Sequence, residues 1–298
     1  MAFANANNIA ELLSLLSGDT KDIVQQLQEL NLLRQCGKCP KCRKKKTLIR
    51  HKGAYVQRCK TCKSGVRSIA TDTFFSQVRF AFKSIIILAF VWSANISVGS
   101  AHNLLGYRKD VISKYYRYFR DICSWKLLKH DFEIGGEGHI VQIDESVITK
   151  RKYNKGRRVA EQWVLGIVDT STNVGLVRYV PRRDANTLIP IITSVVKQGS
   201  EIWTDEWKPY RALATRGYVH KTVCHKREFK GPDGTCTNVV EGFWAVLKKF
   251  LRQNHVLKSK LLPEHIDEFM WRRVFCPEAK TGDIFRILLS HIAERYPC

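Results

Sequence analysis

Hydrophobic positions change their period as the chain proceeds. Ile9, Leu12, Leu13, Leu15 and Leu16, then Ile23, Val24, Leu27, Leu30 and Leu32, recur at near-helical spacing, and Ser17-Gly18-Asp19 divides the two sets. Residues 1–34 are therefore expected to be a helical segment in two pieces. Residues 35–68 lose the apolar periodicity and form a compact cysteine and lysine cluster. Residues 69–134 return to helical spacing and are dense in aromatic and basic residues. Their longest apolar run, Ile85 to Trp92, is too short to cross a bilayer and reads as a buried helix. Within this region, Ile96 to Tyr107 followed by Arg108 to Tyr116 has the rhythm of a helix-turn-helix. The second helix carries Arg108, Lys109, Ser113 and Lys114 at exposed positions suited to a major groove. A plain helical pair packing a core is the alternative.

Gly135-Gly136-Glu137-Gly138 reads as a flexible joint and a domain boundary. Beyond it the period shortens to that of strands. His139 to Val147, Trp163 to Asp169 and Val174 to Val180 read as consecutive strands, with turns at Asn154-Lys155-Gly156 and Ser171-Thr172-Asn173. Asn186 to Lys197 reads as a helix capped by Asp184 or Asn186. Ser200 to Thr204 is a fourth strand, Glu206 to Arg216 a helix, and Tyr218 to Cys224 a fifth strand. The loop Lys226 to Cys236 leads into an amphipathic helix that carries Glu241. The order β-β-β-α-β-α-β-α predicts an α/β domain over residues 139–275, a mixed five-stranded sheet covered by helices. Residues 276–298 are expected to be a C-terminal helical tail.

The cysteines add a metal site to this picture. Cys39-Pro-Lys-Cys42 and Cys59-Lys-Thr-Cys62 are two C-x2-C knuckles separated by sixteen residues. Four thiolates so spaced suit the tetrahedral geometry of structural Zn2+, and a metal would replace the core this segment lacks. Cys36 is a competing ligand. Cys123, Cys224, Cys236, Cys276 and Cys298 are scattered and read as ordinary thiols. Charge then narrows the partner. The chain carries 50 Lys and Arg against 27 Asp and Glu, a formal net charge of +23. An excess of that size argues for a polyanion, and Lys44, Lys45 and Lys46 place part of it on the ribbon, suited to a phosphate backbone. An acidic protein is the alternative partner for the ribbon. No amphipathic basic helix or bilayer-length span points to a membrane, and the opening segment MAFANANNIAELLSLLSGDT lacks the features of a signal peptide.

Three acidic residues carry the candidate chemistry. Asp144, in HIVQIDESVIT, and Asp205, in SEIWTDEWKPY, each close a short apolar β-branched run, and Glu241 opens the helix TNVVEGFWAVLKKFL. Carboxylates at two strand ends and a helix start can converge, and a pair of Mg2+ or Mn2+ ions in phosphodiester chemistry needs such a set. Each has a bland reading: Asp205 as a helix N-cap, Glu241 as a first-turn dipole partner. Asp144 is costly on an apolar strand unless paired or ligated. Asp169 is a rival that reads as a turn residue, and Glu145 and Glu206 are expected to point away by strand alternation. Lys248 follows Glu241 by seven residues, two helical turns along one face, and with Lys249 is a candidate DNA contact. His220 and His225 are candidates for contact with DNA or the scissile phosphate, against a structural or solvated role.

The segments CPKC and CKTC, FFSQVRFAFKSIIILAFVWS, VQIDES, WVLGIVD, TLIPII, WTDEWKPYRAL, YVHKTVCHKREF and TNVVEGFWAVLKKFLR span about residues 36 to 275. Across them the chain resembles Merlin-type DDE transposases and their bacterial insertion-sequence relatives. The resemblance implies an RNase H-like core with Asp144, Asp205 and Glu241 as its metal-binding triad; thirty-five residues separate the last two, a spacing typical of such enzymes. Some relatives use Asn or His as the third ligand, which makes Asn238 the alternative to Glu241. Lys248 matches the basic residue that follows the acid. The implied activity is cleavage of double-stranded DNA at terminal inverted repeats and joining of 3′-hydroxyl ends to target DNA, by at least a dimer, in the nucleus. A domesticated, non-catalytic DNA-binding protein is the alternative, and a structure-selective nuclease without joining is a third.

Overall fold

A computed structural model of the chain describes residues 2–51, 53–63, 66–76, 80–149, 161–223, 238–256 and 260–298. The expected turn at Asn154-Lys155-Gly156, the loop Lys226 to Cys236, His225, Cys224 and Cys236 lie outside the described residues. In chain order the elements begin with a 3-10 turn, Phe3–Asn5, then α1 (Ile9–Leu15), α2 (Thr20–Glu29), β1 (Thr47–His51), β2 (Ala54–Arg58), β3 (Arg67–Ser68), α3 (Phe82–Ser93), α4 (Val98–Leu105) and α5 (Lys109–Leu127). They continue with β4 (Ile140–Thr149), β5 (Gln162–Asp169), β6 (Gly175–Val180), α6 (Ala185–Val195), β7 (Glu201–Asp205), a 3-10 helix Lys208–Arg216, β8 (Val219–Val223), α7 (Asn238–Gln253), α8 (Leu262–Phe275) and α9 (Thr281–Arg295).

The chain divides into two compact units, Met1–Ile122 with Phe275–Cys298, and Cys123–Val274. In the first unit the break between α1 and α2 falls at Ser17-Gly18-Asp19, where Asp19 Oδ1 accepts from the Lys21 N–H at 3.2 Å. The apolar run becomes α3, buried from Ile85 to Ser93, and α9 packs on it through the Phe90 and Phe285 rings, 5.3 Å apart. The C-terminal residues 275–298 therefore fold with the N-terminal elements. Helix α4 starts on Ser97, whose hydroxyl accepts from the Ser100 N–H, and ends at Gly106, which turns the chain at φ 71° before α5 begins at Lys109.

The second unit is built on a five-stranded sheet in the order β6-β5-β4-β7-β8. Strands β4, β5 and β6 form an antiparallel meander, and β7 and β8 run parallel to β4. The β5–β6 hairpin closes where expected. Asp169 Oδ1 accepts from the Ser171 N–H at 2.8 Å and the Thr172 N–H at 3.3 Å, and Asn173 adopts φ 56°. Asp184 caps α6 by accepting from the Thr187 N–H at 2.8 Å. Helix α7 buries Val240, Phe243, Trp244, Leu247, Phe250 and Leu251 along one face, each worth roughly 1.5–3 kcal/mol when withdrawn from water.

Two expectations meet a different structure. The segment expected as a helix over Glu206 to Arg216 is a 3-10 helix, Lys208–Arg216, ended by Gly217 at φ 82°. Its buried residues, Tyr210 and Leu213, are three apart, which matches a period of three. The run Gly135–Gly138 is fastened to the second unit. The Gly136 N–H donates to Ser200 Oγ at 2.8 Å, and Ile134 bridges Val196.

Candidate functional site

The carboxylate site follows from sheet register. Strands β4 and β7 pair through Ile140↔Glu201, Val141↔Ile202 and Gln142↔Trp203, and the pairing stops there. Asp144 and Asp205 each lie two residues beyond that last pair, so alternation projects both from the face that carries Gln142. The strands continue past the end of their shared ladder, leaving a notch between them. Carboxylate oxygens of Asp144, Glu145 and Asp205 all lie within 4.8 Å of one another at this notch.

Helix α7 covers the same face. Gln142 Oε1 accepts from the backbone N–H groups of Val239 and Val240, at 2.9 and 3.1 Å, and so anchors the first turn of the helix over β4. Two residues along β4, Asp144 Oδ2 accepts from Trp244 Nε1 at 2.9 Å. The indole reaches the carboxylate because Gly166, the β5 partner of Asp144, has no side chain: a β-carbon there would lie 2.5 Å from Trp244 Cη2. Glu241 lies in the first turn of α7, one helical turn before Trp244, and is exposed. It is not in the group of three carboxylates. Asn238, the alternative, is the first residue of α7 and is also exposed.

Glu145 departs from the expectation that it would point away. Alternation holds for its partners, which differ from those of Asp144, but the open notch lets its carboxylate join the group. Its side chain is fully buried; Oε1 accepts from the Tyr210 hydroxyl at 2.6 Å and Oε2 from Arg183 at 3.2 Å. Burial pushes this carboxyl up to about 7; the Tyr210 hydroxyl and the Arg183 charge oppose that rise, and the charges of Asp205 and Asp144 add to it. The Arg183 guanidinium stacks on both Trp163 and Trp207, 4.1 Å from each ring centroid. The Trp207 N–H donates to Asp205 Oδ1 at 3.1 Å. Glu206 is exposed. His220 is half-buried on β8, its Nε2 2.9 Å from Thr204 Oγ1, and burial lowers its pKa.

The four knuckle cysteines converge as their spacing predicts. The sulfurs of Cys39, Cys42, Cys59 and Cys62 lie within 4.8 Å of one another, with Cys42 and Cys59 3.5 Å apart. Arg43 and Lys63, each following the second cysteine of its knuckle, take φ 59° and 53°. The N–H groups of Cys42 and Lys41 lower the Cys39 thiol to about 6, and that of Cys62 lowers Cys59. The Cys42 side chain and burial push the Cys62 thiol up instead. Four sulfurs this close suit a tetrahedral zinc, whose bonds of about 2.3 Å imply sulfur separations of this order. Cys36 is not in the group. The strands β1, β2 and β3 form an antiparallel sheet beside the knuckles, and Lys44 and Lys45 are exposed, Lys46 half-buried.

The basic candidates at the start of α5 and on α7 also lie at the surface, with Arg108 just before α5 and not on it as expected. Arg108, Lys109, Ser113 and Lys114 are exposed, with Arg108 paired to Asp110 at 3.0 Å. Lys249 is exposed and Lys248 half-buried on α7. The sequence reading missed Gln142, Arg183, Tyr210 and Trp244. Gln142 was discoverable, because it sits two residues before Asp144 on the same strand face. Trp244 was discoverable from its place on the buried stripe of α7. Nothing local marks Arg183 or Tyr210, which reach Glu145 from other elements.

Residues 134–273 match the ISXO2-like transposase domain. An uncharacterized transposase-like protein of Haemophilus influenzae is 27% identical over 93 residues, covering 31% of this chain and 75% of that protein. Together these likenesses support a transposase. Among solved structures, the catalytic core domain of the HTLV-2 integrase in complex with magnesium, in its dimeric form, is 18% identical and covers 46% of this chain and 87% of that chain, with a TM-score of 0.30. The simian T-cell lymphotropic virus intasome, in complex with a phosphatase regulatory subunit, is 15% identical and covers 64% and 68% of the two chains, with a TM-score of 0.34. Those scores are too low to argue a shared fold. No helix among the described residues is long and apolar enough to cross a membrane.

Proposed function

We propose that this protein is a DDE transposase of the Merlin type, in which Asp144, Asp205 and Glu241 hold divalent metal ions in an RNase H-like core. The observation that carries the reading is the convergence of Asp144 and Asp205 at the β4–β7 notch, within a segment that matches a transposase domain. The strand order β6-β5-β4-β7-β8, a meander followed by two parallel strands, is the arrangement expected of such a core. The donor set fits Mg2+ or Mn2+, since hard carboxylate oxygens are what these ions take. Bound there, the ions would supply Lewis acidity that activates a water or 3′-hydroxyl and stabilises the leaving oxygen. The chain's own groups do the positioning. Trp244 orients Asp144, the Trp207 N–H orients Asp205, and Gln142 sets the start of the helix that carries Glu241. The zinc ribbon and α5 would grip terminal-repeat and target DNA through Lys44, Lys45, Lys46, Arg108, Lys109 and Lys114, with Lys248 and Lys249 on α7. Joining two ends requires at least two copies on DNA. A nuclear address rests on the Merlin resemblance alone.

The test is nicking and strand transfer on supercoiled plasmid DNA in Mg2+ or Mn2+. Asp144→Asn and Glu241→Gln should each abolish cleavage while DNA binding is kept; full activity in both would reject the triad. The exposed position of Glu241, outside the converged group, favours a second reading, a domesticated DNA-binding protein without catalysis. DNA binding without any cleavage by the unaltered protein would select it.

A further inference from the structure

We propose that Glu145 is a positioning residue for Asp205, acting through Arg183, Tyr210 and Trp207, and not itself a ligand of the metal ions. The inference rests on the carboxylate-centre reading above. Both oxygens of Glu145 are already engaged, Oε1 by the Tyr210 hydroxyl at 2.6 Å and Oε2 by Arg183 at 3.2 Å, on a side chain with no exposure. Coordinating a cation would cost these bonds and strand a stacked guanidinium and a buried phenol without their acceptor, which is expensive. What those bonds do hold is the chain immediately after Asp205.

The connection closes on itself. Tyr210 is fully buried and sits edge-on to Trp207, with ring centroids 6.1 Å apart. The Tyr210 N–H donates to the Trp207 carbonyl at 3.1 Å. Trp207 also takes the Arg183 guanidinium, which lies equally close to Trp163 on β5. The backbone N–H of Trp207, fixed at both ends of this chain of contacts, donates to Asp205 Oδ1 at 3.1 Å. Strand β5 thus braces Trp207 through Arg183, and β4 braces it through Glu145 and Tyr210. The result fixes one oxygen of Asp205 and the rotamer of its carboxylate at the notch, as outer partners of metal ligands do.

The experiment compares unaltered protein with Glu145→Gln, Tyr210→Phe and Asp205→Asn, using two readouts. One is hydrogen exchange at the Trp207 amide, which needs no metal. The other is Mn2+ binding followed by electron paramagnetic resonance. Glu145→Gln and Tyr210→Phe should both speed exchange at Trp207 and weaken Mn2+ binding about 10–100-fold, the range for loss of an outer partner, while Asp205→Asn removes it. Where either variant fails to keep the native circular dichroism spectrum, Arg183→Lys, at a partly exposed stacked site, carries the same test. Unchanged exchange at Trp207 in both variants overturns the proposal. So does loss of Mn2+ binding in Glu145→Gln as complete as in Asp205→Asn with Trp207 still protected, which would make Glu145 a direct ligand. If unaltered protein binds no Mn2+, the carboxylate-centre reading falls, and exchange at Trp207 still decides whether Glu145 positions Asp205.

Discussion

Gly166→Ala should damage the second unit and its carboxylate site together. A β-carbon at Gly166 lies 2.5 Å from Cη2 and 2.6 Å from Cζ2 of Trp244, and 3.2 Å from Cγ2 of Val240. The obstacle is a rigid indole that is 5% exposed, so the ring or the helix must shift. Overpacking of this kind costs about 1–3 kcal/mol. Moving the ring also breaks the Trp244–Asp144 bond, about 1.5–3 kcal/mol for a charged acceptor. The lower entropy of unfolded alanine offsets ~0.5–1 kcal/mol. A net loss of roughly 2–5 kcal/mol follows, which lowers Tm by about 2–4 °C per kcal/mol in a unit of this size. Thermal unfolding by circular dichroism measures it, and a cycle with Trp244→Leu tests the cause. The smaller side chain makes room for the β-carbon, so the double variant should be more stable than the sum of the singles by roughly 1–2 kcal/mol, yet stay impaired in metal-dependent cleavage. Additive effects, or a Gly166→Ala protein as stable as the unaltered one, would refute the argument that Gly166 exists to admit Trp244.

Three further outcomes are expected. Cys42→Ser or Cys59→Ser should release zinc and unfold the ribbon while the second unit keeps its melting transition; metal analysis and circular dichroism check this, and full zinc content would contradict it. Replacing Lys44, Lys45 and Lys46 by Gln should flatten the dependence of log K for DNA on log salt by up to about 2.7, at about 0.9 per phosphate contact, read by fluorescence anisotropy across a salt series. For Asp169, burial would raise the carboxyl, but the Ser171 N–H and His139, 2.8 Å away, outweigh it and hold it below its usual value. A depressed folded-state pKa adds stability that is present above the unfolded value of about 3.9 and is lost as pH falls through it towards the folded value. Asp169→Asn should therefore lower stability at neutral pH and flatten its fall below about pH 4, measured by urea unfolding over pH 3–7.

What the sequence disclosed follows from how local each signal is. The ribbon was legible because a C-x2-C pair carries its own turn, and Arg43 and Lys63 adopt the left-handed conformation that turn requires. The meander and hairpin were legible from two-residue periodicity and from Asp169, whose carboxylate holds the turn N–H groups. Asp144 and Asp205 could be paired because each ends an apolar run. That they share a face became evident only from the Gln142↔Trp203 register. Glu145 was misjudged because alternation predicts where a side chain leaves the strand, not where a carboxylate ends once the neighbouring strand diverges. The glycines at 135–138 looked like a hinge, but Ser200, 64 residues from Gly136, holds the Gly136 N–H. Arg183 and Tyr210 were invisible because their role depends on contacts 38 and 65 residues away in sequence.

The central claim is that Asp144 and Asp205 together hold divalent cations. Anomalous diffraction at the manganese edge, on crystals of the full chain equilibrated with Mn2+, addresses it without any knowledge of the DNA sequence recognised. The account predicts a peak at the β4–β7 notch about 2.1 Å from an oxygen of each of the two aspartates, and its absence from Asp144→Asn crystals. A notch without a peak at saturating Mn2+, or a peak unaffected by Asp144→Asn, would contradict it.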